Sequence, residues 1–298
     1  MSKGAEGASG PLRSLAVDTR AVPDTLEQRY LHLLKQTLTF ALWPEPPAPL
    51  ELLNSRRSPL ERLVVSMIAR VLWLRRLQMV KDTAPTPEQR RDGAFWPSYA
   101  HTMIGLTRLD NLQYCLETVL REGIPGDVIE TGAWRGGACI FMRGCFAAYG
   151  ITDRTVYVAD SFEGLPRPEV PQDAGDTHYT HPFLAVSQAQ VEANFRSYGL
   201  LDDQVVFLKG WFKDTLPRAP IERLAILRLD GDMYASTMDA LNALYPKLSS
   251  GGFCIVDDYG VVESCKQAVT DFRAAHGISA ELHVIDSSGR YWRKGEPA

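Results

Sequence analysis

Four carboxylates follow two neighbouring apolar runs that we predict to be strands. Asp230 and Asp232 come after the first run, and Asp257 and Asp258 come after the second. At an effective dielectric constant of about 20, two like charges about 4 Å apart repel by roughly 4 kcal/mol. A bound hard cation relieves that repulsion, and an all-oxygen ligand set favours Mg²⁺ over zinc. The pattern therefore predicts a magnesium site, with helix caps or solvated loop acids as the alternative.

A glycine-rich turn follows the first predicted strand, where residues 130–137 read ETGAWRGG. Glycines let the backbone turn tightly and approach a ligand closely. The turn lacks both the GxGxxG and the GxxxxGK[ST] patterns, which are typical of phosphate cradles. We interpret it, with Glu130 at its start, as a site for a positively charged nucleoside. A purely structural turn is the alternative.

Two further strand ends could complete a nucleoside site. Asp160 ends the second predicted strand, where an acid can accept hydrogen bonds from both ribose hydroxyls, although it could cap a helix instead. Gly210 and Trp211 follow the third strand and could flank an adenine, unless Trp211 is an ordinary core residue. Because ligands of parallel sheets bind beyond the carboxyl ends of the strands, we expect these groups to meet.

A long segment, residues 167–187, separates the second strand from the next helix and contains His178. Loops of this length inside compact domains are often lids. His178 could assist proton transfer or contact the acceptor, with a solvated side chain as the alternative.

Alternating helices and short apolar strands position these residues from about residue 110 onward. Continuous β-branched runs with helical crossovers predict a parallel sheet that is covered on both faces. The turn at residues 286–289 joins the last two strands into an antiparallel pair. The predicted fold is α/β, a doubly wound, mostly parallel sheet with an antiparallel C-terminal hairpin. The strands are expected at residues 127–130, 156–160, 205–209, 224–230, 253–257, 281–285 and 291–293.

The region before residue 95 predicts two helices separated by a proline-rich break. The first helix runs from about Thr25 to Leu42, and the second lies within Leu60–Val80. Arginines along the second helix would be costly at a bilayer centre. We interpret it as an amphipathic helix buried against the body of the protein or a partner subunit. A helix on a membrane surface is the alternative.

Composition excludes several classes. The chain has 298 residues, of which 45% are hydrophobic and 23% charged, as in ordinary globular proteins. A formal net charge of −4 argues against a nucleic-acid partner. Five cysteines without a CxxC pair indicate buried thiols of a reducing compartment, and the first residues lack the apolar core of a signal peptide. We therefore expect a cytoplasmic protein that binds neither nucleic acid nor membrane.

Together, five motifs resemble those of the macrocin O-methyltransferase (TylF) family. They are HTMIG at residues 101–105, ETGxxRGG at 130–137, LKGWF at 208–212, DGD at 230–232 and VDDY at 256–259. The resemblance covers roughly residues 95–295. It implies a Rossmann-like class I methyltransferase that uses S-adenosyl-L-methionine and Mg²⁺ to methylate a sugar hydroxyl of a glycosylated antibiotic. It implies a methyltransferase domain over residues 96–298, which we expect to follow a disordered tail over 1–23 and a helical extension for lid, acceptor or oligomer contacts over 24–95.

The resemblance also implies a role for each matching residue. Asp230, Asp257 and Asp258 would hold Mg²⁺, and Asp232 would be the general base, with Asp230 acting beside it in catalysis. The implied cofactor-binding residues are Thr102, Met103, Glu130, Thr131, Gly132, Ala133, Trp134, Gly136, Asp160, Ser161, Phe162, Gly164, Gly210, Trp211 and Asp230.

The expected partner is a small-molecule glycoside, and the expected assembly is a homodimer or a higher homo-oligomer. His178 and Tyr259 are the candidates for contacting the acceptor. A catechol-type O-methyltransferase that acts on an aromatic diol is the main alternative, because it shares the fold, the metal and the cofactor. The missing GxGxxG pattern disfavours an NAD-dependent oxidoreductase. A non-catalytic binding protein would have little reason to keep all four acids.

Overall fold

A seven-stranded sheet forms the centre of the computed structural model, which describes residues 24–49, 58–82 and 84–295. Its strands are β1 (Asp127–Thr131), β2 (Val156–Asp160), β3 (Val205–Lys209), β4 (Leu224–Leu229), β5 (Leu248–Val256), β6 (His283–Val284) and β7 (Arg290–Arg293). Their spatial order is β3-β2-β1-β4-β5-β7-β6. The first five are parallel, whereas β7 pairs antiparallel with both β5 and β6. The predicted fold class is confirmed; the predicted tail over residues 1–23 lies outside the described residues.

Helices fill the crossovers between the strands and the region before the sheet. They are α1 (Leu26–Leu38), α2 (Pro59–Leu74), α3 (Pro87–Asp92), α4 (Gly105–Arg121), α5 (Gly137–Ala148), α6 (Gln188–Ser197), α7 (Phe212–Thr215), α8 (Tyr234–Leu244) and α9 (Glu263–Ala275). Short 3₁₀ turns occupy the segment between β2 and α6, at Pro171–Asp173, His178–Thr180 and Pro182–Leu184.

Both faces of the sheet are covered because successive strand residues point to opposite sides. Val128 belongs to a core that also contains residues of α1, α4, α5 and α6. Its neighbour Ile129 belongs to a second core with α8 and α9. This arrangement leaves the carboxyl edge of the parallel strands free for a site.

The first N-terminal helix, α1, is part of this body. Leu31, Leu34 and Leu38 are buried in the same core as α5. The helix ends at Leu38, earlier than the predicted Leu42, because Phe40 has a φ of 56°, which a right-handed helix does not allow.

The second N-terminal helix, α2, lies where the sequence predicts it but contacts the body little. Most of its side chains are exposed, with Leu60 at 71% and Leu63 at 59%, and none of its residues is buried. Burial against the body is therefore wrong, and burial against a partner subunit stays a prediction. Among the helices of residues 24–49, 58–82 and 84–295, none has the length and apolar character to cross a membrane.

Candidate active site

A cavity of about 360 Å³ opens at the carboxyl ends of β1, β2, β3 and β4. The loops after all four strands contribute to its wall, as expected for ligands of parallel sheets. The predicted site residues that line it are Met103, Gly132, Trp134, Asp160, Ser161, Gly164, Gly210, Trp211, Asp230 and Asp232. The structure thus brings the glycine turn, the predicted ribose acid and the DGD motif to one place.

Other predicted cofactor residues are buried and do not line the cavity. They are Thr102, Glu130, Thr131, Ala133, Gly136 and Phe162. The carbonyl of Thr131 accepts a hydrogen bond of 2.9 Å from the amide of Asp230, which holds the end of β1 beside the end of β4. The hydroxyl of Thr102 accepts one of 3.4 Å from the amide of Ile104. These residues shape the wall from behind.

The turn after β1 depends on glycine at its first bend. Gly132 has a φ of 93°, and a Cβ there would lie 1.6 Å from the carbonyl oxygen of Asp230. The chain must pass that close because the turn lies against the end of β4. Trp134 also has a positive φ, of 47°, and its side chain lines the cavity.

Asp160 holds this turn in place as well as lining the cavity. Its Oδ2 accepts hydrogen bonds from the amides of Ala133 (2.8 Å) and Trp134 (3.2 Å), and its Oδ1 accepts one from Phe162 (2.7 Å). Burial raises the pKa of Asp160, and these backbone donors oppose the rise. Neither bonded segment is the N-terminus of a helix, so the contacts differ from the helix cap considered as the alternative. Oδ2 already accepts two amides, whereas Oδ1 accepts one and keeps a second lone pair for a ligand hydroxyl.

The metal-binding prediction concerns three acids that the structure brings together. Asp230, Asp257 and Asp258 each offer a carboxylate oxygen within 4.8 Å of the others. Burial, then the charge of Asp257, raises the pKa of Asp230 well above its ordinary value, against the effect of Arg228. Burial and the charge of Asp232 do the same for Asp258. This crowding of carboxylate oxygens, two of the groups buried and Asp230 half-buried, fits a hard divalent cation.

Asp232 lies beside this cluster and lines the cavity. Its backbone amide donates a hydrogen bond of 3.2 Å to Asp258, and its φ is 55°. Burial raises the pKa of Asp232 to about 6, while His178 opposes the rise and Asp176 adds to it. A carboxylate with such a pKa is ionised at neutral pH and can accept a proton.

Sequence reasoning missed Arg228, which joins three of the acids. The side chain is 1% exposed and forms ion pairs with Glu130, Asp257 and, at 2.9 Å, Asp230. The signal was present, because an arginine inside the apolar strand LAILRL needs a buried counter-charge. Arg108 of α4 pairs with the other oxygen of Asp257 and lies 3.1 Å from Asp286. No local pattern marks that contact.

Glu130 faces this buried network. Its carboxylate pairs with Arg228 and accepts a hydrogen bond of 3.0 Å from the thiol of Cys139. Burial raises the pKa of Glu130, and Arg228 opposes the rise. The charge of Glu130 is thus used inside the protein, next to the cavity wall.

The two predicted acceptor contacts lie in different surroundings. The Nδ1 of His178 lies 2.9 Å from Asp176, and its side chain is 36% exposed. Burial lowers the pKa of His178, but the hydrogen bond to Asp176 and the charge of Asp232 outweigh burial and raise it. Neither His178 nor Tyr259 lines the cavity, and Tyr259 borders a shallow depression beside Arg273.

Comparison with known proteins points to one family. The family described as macrocin-O-methyltransferase (TylF) matches residues 27–294. One relative, from Streptomyces olivaceus, is named 8-demethyl-8-(2,3-dimethoxy-alpha-L-rhamnosyl)-tetracenomycin-C 4'-O-methyltransferase. It is 56% identical over 218 residues, which cover 72% of this chain and 83% of that protein. The mycinamicin III 3''-O-methyltransferase of Micromonospora griseorubida is 54% identical over 222 residues, 72% of this chain and 87% of that protein.

Solved structures agree with that result. The O-methyltransferase NovP superposes with a TM-score of 0.77 at 42% identity, over 91% of this chain and 100% of NovP. The calicheamicin methyltransferase CalS11 is 20% identical with a TM-score of 0.54, over 81% of this chain and 95% of CalS11, and shows the shared fold alone.

Proposed function

The chain is an O-methyltransferase that belongs to the TylF macrocin-O-methyltransferase family, and from that premise we propose its reaction. It transfers a methyl group from S-adenosyl-L-methionine to a hydroxyl of a (deoxy)sugar on a glycosylated natural product, with Mg²⁺ at the acidic cluster. The observation that carries the proposal is the position of Asp232, which lines the cavity beside the cluster of Asp230, Asp257 and Asp258.

The cavity suits the cofactor in shape and charge. Asp160 would accept hydrogen bonds from the ribose, and Trp211 offers a flat apolar surface for the adenine. Gly132, in the turn after β1, lines the part of the cavity that would hold the methionine portion. The sulfonium carries a positive charge, which the carboxylate of Asp230 in the wall attracts.

Asp230, Asp257 and Asp258 would hold the metal. Each oxygen of Asp257 already accepts from one arginine and keeps a second lone pair for a metal. Bound Mg²⁺ would lower the pKa of a coordinated sugar hydroxyl and orient it.

The protein's own contribution is a base and a fixed geometry. Asp232, with a pKa of about 6, accepts the proton from the sugar hydroxyl. The oxygen then attacks the methyl carbon in line with the departing sulfur, so holding the two reactants at about 3 Å supplies much of the acceleration.

A labelled-methyl assay tests the reaction directly. The enzyme is incubated with labelled S-adenosyl-L-methionine, Mg²⁺ and a panel of deoxysugar-bearing glycosides, with a catechol as the competing acceptor class. We expect label on a glycoside, little on the catechol, and no turnover in EDTA. Label on the catechol alone would transfer the protein to the catechol-type class, and full activity in EDTA would remove the metal from the reaction.

A further inference from the structure

Helix α8 begins directly after the DGD motif without a cap of its own. Its N-cap residue, Met233, makes no side-chain hydrogen bond to the helix. The first amides of a helix need acceptors from elsewhere. Asp173, 61 residues before Tyr234, supplies them: its Oδ1 accepts from the amide of Tyr234 at 2.6 Å and its Oδ2 from that of Ala235 at 3.1 Å. Asp173 is 1% exposed.

The same residue organises the segment between β2 and α6, which approaches the proposed base, Asp232. The carbonyl of Asp173 accepts a hydrogen bond of 3.0 Å from the amide of Asp176. The carboxylate of Asp176 accepts one of 2.8 Å from the amide of His178 and lies 2.9 Å from its ring Nδ1. A continuous series of hydrogen bonds thus runs from the start of α8 to His178, whose charge interacts with Asp232.

The far end of the segment is anchored separately. The indole Nε1 of Trp134 donates a hydrogen bond of 3.0 Å to the carbonyl of Phe183. The ring of Phe183 also packs on Trp96, with centroids 4.4 Å apart. This anchor ties the segment to the cofactor wall, whereas Asp173 ties it to the helix that follows Asp232.

We propose that Asp173 is a positioning residue for methyl transfer: by capping α8 from the segment, it holds Asp232 and His178 in one arrangement beside the acceptor. The assignment of base and acceptor rests on the proposed function. The backbone of Asp232 takes a left-handed conformation that is costly for a non-glycine residue, so its position depends on what holds the next two residues. Asp173 holds the second of those residues by its amide.

Three variants test the proposal: Asp173→Ala, Asp173→Asn, and Thr25→Ala as the matched control. Thr25 caps α1 through the amide of Gln28, so its loss removes a helix cap far from the cavity. Hydrogen exchange is followed in the segment and in the first turn of α8. Calorimetry gives the Kd for S-adenosyl-L-methionine, and kcat and KM are measured with the panel glycoside that the wild type methylates.

In Asp173→Ala, we expect faster exchange in both places and a kcat lower by about 10- to 100-fold, because small misplacements of reacting groups cost such factors. The cofactor Kd should stay within about twofold, since the Trp134 anchor remains. Asp173→Asn should recover part of the kcat, because its single amide oxygen accepts one of the two amides. If Asp173→Ala does not fold, the same measurements are made on Asp173→Asn. Thr25→Ala should match the wild type in kcat.

Two results would overturn the proposal. One is wild-type kcat in Asp173→Ala although exchange shows the segment released. The other is a cofactor Kd that rises by the same factor as kcat falls, which would show that Asp173 stabilises the fold in general and does not position the base. Exchange and calorimetry need no acceptor. If no glycoside is methylated, the proposed function fails. The role of Asp173 can still be refuted, by an Asp173→Ala variant in which hydrogen exchange does not become faster in both the segment and the first turn of α8.

Discussion

Replacing Arg228 with Met should destabilise the protein strongly, because a buried cation would disappear from between buried anions. Arg228 is 1% exposed, and two of its partners, Glu130 and Asp257, are 2% and 4% exposed. Breaking a buried ion pair by removing one partner costs about 3–5 kcal/mol. Met fills most of the vacated volume, so little of the cost comes from a cavity. It comes from Glu130, which loses its cation, and from Asp257, which keeps only Arg108. At about 2–4 °C per kcal/mol, the melting temperature should fall by roughly 6 to 20 °C.

The loss should depend on pH in a defined direction. Burial already holds the pKa of Glu130 above its ordinary value, and Arg228 is the largest influence against that rise. Without Arg228 the folded-state pKa rises further above the unfolded value. A carboxyl with this shift destabilises the fold once pH exceeds its unfolded pKa, and protonation at low pH relieves the penalty. The difference in melting temperature between variant and wild type should therefore be smaller at pH 5 than at pH 8.

Thermal unfolding followed by circular dichroism in EDTA provides the measurement. Arg196→Met is the control, because Arg196 forms an exposed pair with Glu192 on α6, and such pairs contribute little. Adding Glu130→Gln to Arg228→Met should recover part of the stability, since it removes the buried charge that has lost its cation. A loss below about 1 kcal/mol, or one that is equal at both pH values, would refute the reasoning that these charges depend on Arg228.

Three further predictions concern the cavity. Gly132→Ala should abolish cofactor binding in calorimetry, because the new Cβ would lie 1.6 Å from the carbonyl oxygen of Asp230. The control is Gly150→Ala, where φ is 66° and no atom lies within 4 Å of the new Cβ; it should only destabilise the fold, by about 1 kcal/mol. Asp232→Asn should lower kcat by on the order of 10²–10⁴-fold, with the cofactor Kd within about twofold. Because burial raises the pKa of Asp160, the cofactor Kd should rise as the solution is made acidic, and Asp160→Asn should lack this dependence.

Each of these predictions has a contrary outcome. Equal cofactor affinity in the two glycine variants would show that the turn at Gly132 tolerates a side chain. Unchanged turnover in Asp232→Asn would remove the base. A pH dependence retained in Asp160→Asn would assign the titration to another group.

The sheet and the location of the site could be predicted from the sequence because they depend on local patterns. Apolar runs of strand length, separated by helical segments, predicted the parallel strands that the structure contains. The carboxyl-end rule then placed Asp160, Gly210 and Asp230 on one cavity without knowledge of any distance. Where the local pattern was ambiguous, the predicted helix was too long, as at the end of α1.

The partners of the charged residues required the tertiary structure. Arg228 and Glu130 are 98 positions apart, and their pairing depends on the register between β4 and β1, which an alternation pattern does not specify. Asp173 reaches the start of α8 only because the segment after β2 folds back across the sheet edge. Burial periodicity is a property of neighbouring residues, whereas charge pairing is a property of residues that the fold brings together. The composition and spacing of this chain therefore determined its layers and its carboxyl-edge site, and the assembled fold decided which side chains neutralise, cap and position the groups in that site.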